Sequence, residues 1–219
     1  HHLWHAPENP PGLKESYRYL LEDLWSDTCS GHNIKKTVFI DCGQEYFKEG
    51  PEQFKPVGET EFVVKIAKQA QEDLSKAQIS GIVGHANMML GTSVKEVLEM
   101  HLEKGEGLFR GIRHAGGWDE DDRVKNAHSH PTPHIYLEDN FQQGLEELSS
   151  MNMVFDTWHY HNQIKDLTEL AKNLPELIII HDHFGGPLGI GPYKNKREEI
   201  FEKWKEDILE LSKCPNVYS

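Results

Sequence analysis

The run Ile178-Ile179-Ile180-His181-Asp182-His183-Phe184-Gly185-Gly186-Pro187 sets two imidazoles around a carboxylate and follows them at once with a glycine–proline turn. Imidazole exchanges protons near neutral pH and is a common metal ligand, and a carboxylate beside it can fix its tautomer. The β-branched run ahead of it is too short for a helix and reads as a strand buried on both faces. The chemistry would then sit just past a strand's carboxyl end, where ligands bind in parallel α/β proteins. Other stretches end in the same way: Ile40-Asp41-Cys42-Gly43 before Gln44 and Glu45, Val83-Gly84-His85, Ile112-Arg113-His114, and Trp158-His159-Tyr160-His161. With 14 His in 219 residues some clustering arises by chance, so a histidine-rich surface turn is the rival explanation of each.

Positioning such residues requires strands that alternate with helices, and the apolar periods provide them. His1-His2-Leu3-Trp4-His5 reads as the downstream end of a strand, before the turn-forming Pro7, Pro10, Pro11 and Gly12. Tyr17, Leu20, Leu21, Leu24 and Trp25 have helical spacing. Residues 37–43, 79–83, 108–112, 151–158, 178–183 and 217–218 read as further strands. Between them lie helices over 59–73, with Thr60 as N-cap, then from Thr92 or Ser93 to Gly105, and around Phe141–Leu148, Ile164–Ala171 and Ile200–Leu211. The polar stretch from Gly116 to Pro133 is long for a connection and is expected to act as an active-site lid.

Seven strand-then-helix periods imply a parallel sheet with right-handed crossovers. A doubly wound sheet and a (β/α)8 barrel both satisfy this. The regular period, the missing Gly-rich phosphate loop after strand one and the polar strand ends favour the barrel. The expectation is an α/β, (β/α)8 TIM barrel, incomplete, over one domain spanning 1–219 and lacking strand eight. Two unpaired strand edges would then bring either association with another chain, as in a homo-oligomer, or marginal stability.

Composition narrows the function. The 37% hydrophobic and 27% charged content is that of a globular protein, and the net charge of −13 disfavours nucleic acid and anionic membrane. No apolar run approaches the ~20 residues of a membrane span. Cys29, Cys42 and Cys214 form no CxxC pair, so a reducing, cytoplasmic setting is expected.

His2-Leu3-Trp4, Gly58-Glu59-Thr60-Glu61-Phe62-Val63, Phe109-Arg110-Gly111-Ile112-Arg113, Phe155-Asp156-Thr157-Trp158, Asp182-His183-Phe184-Gly185-Gly186-Pro187 and Cys214-Pro215-Asn216-Val217-Tyr218 occur in this order. Together they resemble the amidohydrolase-2 family, the branch of the amidohydrolase superfamily that includes TIM-barrel lactonases and decarboxylases. The resemblance implies hydrolysis of a cyclic ester or related bond, often with one divalent metal. The family's strand one usually carries His-x-His, of which only the second, matching His2, is certainly here. Its strand-eight acid lies beyond Ser219, so the chain reads as truncated at both ends.

Under that resemblance, histidines at several strand ends fit a Zn²⁺-type site, with His2, His161 and His183 as ligands. His159, two residues before His161 and on the same strand face, is its rival. His183, His161 and Arg113 are the candidate catalytic residues, and His181 and Asp182 are expected to support them. Arg113 could grip a substrate carboxylate bidentately, or it could be salt-bridged to a neighbouring strand carboxylate. His85, Gln44 and Tyr160 are further candidates for contact with the substrate, and Trp158 and Trp118 could wall the site. The expected reaction is attack of water on the carbonyl of a small, anionic lactone, polarised by metal or by a His/Arg cluster. A superfamily decarboxylase and a remnant that only binds ligand are the alternatives.

Overall fold

Six strands and six helices alternate along residues 1–4 and 18–219, the part of the chain that the computed structural model describes. The expected contributions of His5, Pro7, Pro10, Pro11, Gly12 and Tyr17 lie outside the described residues. The chain divides into two compact units: residues 1–86 with 96–111, and residues 87–95 with 112–219.

In the first unit, β1 (Lys36–Ile40) pairs in parallel with β2 (Gln78–His85). Their register runs from Lys36 opposite Gln78 to Ile40 opposite Val83 and slips between Thr37 and Val38. Helix α1 (Leu21–Thr28) buries Leu21 and Leu24, and its Trp25 indole N–H donates to the Ala77 carbonyl at 2.9 Å. Helix α2 (Val57–Ala70) packs on β2 through an apolar stripe that includes Val63, Ile66, Ala67 and Ala70. Burying each large aliphatic side chain of such a stripe is worth about 1.5–3 kcal/mol. Helix α3 (Val94–Gly105) and strand β3 (Phe109–Arg113) start in one unit and finish in the other.

The second unit carries α4 (Asp139–Ser150), β4 (Val154–Thr157), α5 (Ile164–Asn173), β5 (Ile179–His181), α6 (Arg197–Leu211) and β6 (Val217–Tyr218). Strand β5 pairs in parallel with β4, Thr157 opposite His181, and with β6, Ile179 opposite Val217. Helix α5 packs on α6, and α4 packs on the short turn 88–93. That contact is close because Gly144 has no Cβ; one added there would overlap the Met88 carbonyl. Phe141 and Phe155 meet edge to face at 5.7 Å in the core, with Tyr136 against both.

Several expectations change in detail. The first stretch contributes no named strand, although His1 donates its N-terminal N–H to Val38 and its carbonyl accepts from Ile40, the pattern of a parallel pair on β1. Six strands are therefore named rather than seven. Helix α2 starts at Val57 behind Pro56, whose φ of −60° is pre-set for a helical turn. Thr60 is thus no cap: it is buried within the first turns. The run 178–180 is not buried on both faces, since Ile178 is 46% exposed while Ile179 is fully buried.

Candidate active site

The end of β5 is where the polar run becomes a site. After His181 the chain enters a tight turn, Asp182–Gly185, in which His183 and Phe184 both have positive φ, at 50° and 52°. Left-handed backbone is costly for non-glycine residues, so the surroundings must hold this turn. Arg113, at the end of β3, does so. Its Nε donates to Asp156 Oδ1 on β4 and its Nη2 to Asp182 Oδ2, both at 2.5 Å. The His183 ring stands beyond, with Nε2 3.4 Å from Asp182 Oδ2 and most of its side chain in solvent. The Trp204 indole N–H of α6 fastens the turn from the other side through the Phe184 carbonyl at 2.6 Å.

Of the two assignments open to Arg113, the structure displays the salt bridge. The carboxylates around its guanidinium come from the chain itself, from Asp156 and Asp182. Burial pushes the Asp156 carboxyl above its ordinary range, and the Arg113 charge works against that rise.

Two histidines, His159 and His161, follow strand β4 in different settings. His159 is fully enclosed, and neither ring nitrogen has a hydrogen-bond partner; burial pushes it down to about 3. His181 lies 5.1 Å from it, ring centroid to centroid, and is pushed down to about 4 by burial. The Ser219 hydroxyl donates to the His181 carbonyl, so His181 Nδ1 carries the proton given to Ser219 Oγ, and the buried Nε2 is a bare acceptor. This imidazole pair is neutral at neutral pH and was not legible in the sequence.

His161 begins the turn 161–163, which packs on the 182–185 turn. Its Nδ1 accepts the Leu188 N–H at 3.5 Å, which leaves its proton on Nε2, and its ring meets Tyr193 edge-on at 4.9 Å. Burial lowers its pKa. Tyr160 donates its hydroxyl to the Lys125 carbonyl, and its ring packs on Trp158. The expected lid is tied down near its start: the Gly116 N–H donates to the Trp158 carbonyl at 2.9 Å and the Ala127 N–H to Gly117 at 2.8 Å. The Trp118 N–H donates to Gln163 Oε1 at 3.3 Å.

The first unit contains the other expected residues. His2 donates Nδ1–H to the Ile40 carbonyl at 2.8 Å. Gln44 engages through its backbone, its N–H donating to Glu59 Oε1 at 2.6 Å alongside the Cys42 N–H at 3.2 Å. Glu59 sits on the buried stripe of α2 against Asp41, which also accepts from the Tyr46 hydroxyl at 2.8 Å. Burial raises the Glu59 pKa well above the carboxylate range, and the neighbouring Asp41 raises it further. The pair therefore holds a proton at neutral pH. Cys42 is half-buried, its thiol pushed up by burial. The His85 carbonyl accepts from His101 Nε2 at 3.0 Å, so His101 Nδ1 accepts the Thr60 hydroxyl at 2.8 Å.

Among the described residues, no group of three or more His, Cys, Asp or Glu is gathered so as to hold a metal ion. No described helix is long and apolar enough to cross a membrane.

No protein-family profile matches the chain. An uncharacterised protein of Sinorhizobium fredii, y4mH, is 27% identical over 199 residues, 91% of this chain and 58% of that protein. Among solved structures, an amidohydrolase from Burkholderia multivorans is similar in two crystal forms. The form with bound HEPES has a TM-score of 0.61 at 17% identity and the form with bound zinc 0.62 at 18%, over 92% and 91% of this chain. A probable 2-pyrone-4,6-dicarboxylic acid hydrolase from Acinetobacter baumannii, with citric acid bound, has a TM-score of 0.53 at 14% identity, over 94% of this chain and 63% of its own. The chain spans 58% of the length of the curated relative and 58% and 57% of the two Burkholderia chains. With parallel strand pairs, alternating helices and polar strand ends, the chain has the α/β fold of the amidohydrolases.

Proposed function

We propose that this chain is part of a hydrolase of the amidohydrolase-2 family, built on a partial (β/α) barrel, that opens a lactone or similar cyclic ester by attack of water. The observation that carries the reading is the Arg113–Asp182–His183 relay at the end of β5: a buried guanidinium holds a carboxylate, and an exposed imidazole stands 3.4 Å from that carboxylate.

Each group has a distinct task. Asp182, fixed by Arg113, orients the His183 ring and stabilises the cation that the ring becomes on taking a proton. His183 accepts a proton from water as the water oxygen bonds to the carbonyl carbon. When the ring C–O bond breaks, the same imidazolium returns the proton to the departing alkoxide, leaving a hydroxy acid. His161, with its proton on Nε2, can donate to the carbonyl oxygen as negative charge develops there. Arg113 is a positioning residue here, because two aspartates already compensate its charge. Gln44, His85 and Tyr160 are candidates for contact with the substrate in the whole protein. The zinc and citric acid of the related structures are properties of those proteins, and no step here is routed through a metal.

The test is turnover of a panel of five- and six-membered lactones, with and without a carboxylate. His183→Ala should lower kcat by about 10²- to 10⁴-fold, the usual contribution of a positioned general base. Its exposed ring should leave the melting curve within about 0.5 kcal/mol of wild type. Lactone turnover untouched by His183→Ala would defeat the assignment.

A further inference from the structure

The second unit contains a cavity of about 540 Å³ whose walls include Pro187, Leu188, Tyr193, Arg197, Ile200 and Phe201. That volume falls in the range of small-molecule sites, roughly 300–1,000 Å³. The wall is apolar on Pro187, Leu188, Ile200 and Phe201, and it carries one cation. The Arg197 guanidinium is exposed and makes no ion pair or hydrogen bond among the described residues. Arg113 is engaged with two aspartates, Arg123 with Asp121 and Arg110 with backbone carbonyls; Arg18, outside this cavity, shares with Arg197 the lack of a described partner. Lys194, Lys196 and Arg197 also place three cations within four residues of a chain whose net charge is −13. Glu198 and Glu199 follow in sequence without pairing to Arg197.

The same cavity borders the candidate site. Tyr193, on its wall, meets His161 edge-on at 4.9 Å and is fixed by donating its hydroxyl to Asp119 Oδ2 at 2.6 Å. Leu188, also on the wall, donates its N–H to His161. A ligand in the cavity would thus lie against an apolar surface, with a cation on the rim and His161 behind the aromatic wall.

We propose that this cavity binds a small carboxylate with an apolar, ring-sized body, and that Arg197, not Arg113, pairs with the carboxylate. The body packs on Leu188, Ile200 and Phe201. As an account of substrate choice this rests on the hydrolase reading above; as an account of binding it does not.

The experiment measures binding of 3-phenylpropionate and its neutral isostere 3-phenylpropionamide by calorimetry or ligand-observed NMR. It compares the wild-type chain, Arg197→Gln and the remote control Lys65→Gln. The acid should bind the wild type about fivefold more tightly than the amide, the scale of one exposed ion pair, and added salt should narrow the gap. Arg197→Gln should remove that preference and leave amide binding unchanged, while Lys65→Gln should behave as wild type. Circular dichroism of Arg197→Gln checks that the fold is kept. Absence of acid binding to the wild type, equal affinity for acid and amide, or an undiminished preference in Arg197→Gln overturns the proposal. Carboxylate binding through Arg197 without turnover of any lactone would leave the cavity assignment standing and remove the hydrolase reading. Turnover without carboxylate preference would do the reverse.

Discussion

Replacing Arg113 by Met should be among the most damaging single changes in the second unit, and its size follows from the burial of its partners. The Arg113 and Asp156 side chains are 11% and 5% exposed, so removing the guanidinium strands a charge in a nearly dry site. Breaking one half of such a buried pair costs about 3–5 kcal/mol. Asp182, 20% exposed, can turn to water and adds no more than about 1 kcal/mol. A total near 4 kcal/mol is a large share of the roughly 5–15 kcal/mol that stabilises a domain. With a urea slope of about 2.5 kcal/mol per molar, the unfolding midpoint should fall by roughly 1.5 M. Two controls isolate the cause. Adding Asp156→Asn to Arg113→Met should restore about half of the loss, because the stranded charge is gone. The single variant should also lose less at pH 5 than at pH 8. Its Asp156 pKa, already raised by burial, rises further without the cation, so lowering the pH lets the folded state take up a proton. A midpoint shift under about 0.3 M in Arg113→Met would refute the argument that this ion pair holds the β5 turn.

Three further outcomes are expected. His159 and His181 are pushed down to about 3 and 4 from 6.5, so the folded state binds fewer protons than the unfolded one. Their contribution is complete above pH 6.5 and is lost as pH falls toward those values, by up to about 1.4 kcal/mol per pH unit for each group. His159→Phe should flatten the acid side of a stability–pH curve measured by urea midpoints, and an unchanged slope would count against a buried neutral imidazole. Glu59 is shifted the opposite way, its folded pKa raised, so its contribution is present below the ordinary carboxylate range and is lost as pH rises. Glu59→Gln should therefore lessen the fall in stability between pH 6 and 9; a wild-type slope in the variant would show that Glu59 is ionised in the fold. Gly144→Ala should cost about 1–3 kcal/mol by overpacking against the Met88 carbonyl, and calorimetric melting would reveal it.

The strand–helix alternation was legible because apolar residues change period between 2 and 3.6, and that change survives errors of a residue or two at each boundary. Side-chain partners were not, because they depend on register. Thr157 lies opposite His181 and Asp156 opposite Ile180, and this pairing decides which carboxylate Arg113 meets. Glu59 left a trace that could have been followed: it lies four residues before Val63 on the buried stripe of α2, a place where a carboxylate must find donors or a proton. His101 left a similar trace, three residues after Leu98 on the buried face of α3. The choice between His159 and His161 could not be made from spacing. Both are buried, but the first has no hydrogen-bond partner and the second is tied to Leu188 and Tyr193.

The turn 88–93 belongs to the second unit although the chain on either side of it belongs largely to the first. The two units are therefore interleaved along the chain, and no single cut separates them. A break between Gly111 and Ile112 would leave α4 without the segment that fills the hollow beside Gly144. It would also leave the upstream piece carrying the turn 88–93, which belongs to the second unit. Completing the second unit requires joining positions some fifty residues apart, across all of α3 and β3, before α4 gains its partner. Chain closure over that distance is an entropic cost that the second unit must meet before its contacts repay it. For anyone dissecting the protein, the useful boundaries are three, near residues 86, 95 and 111, rather than one.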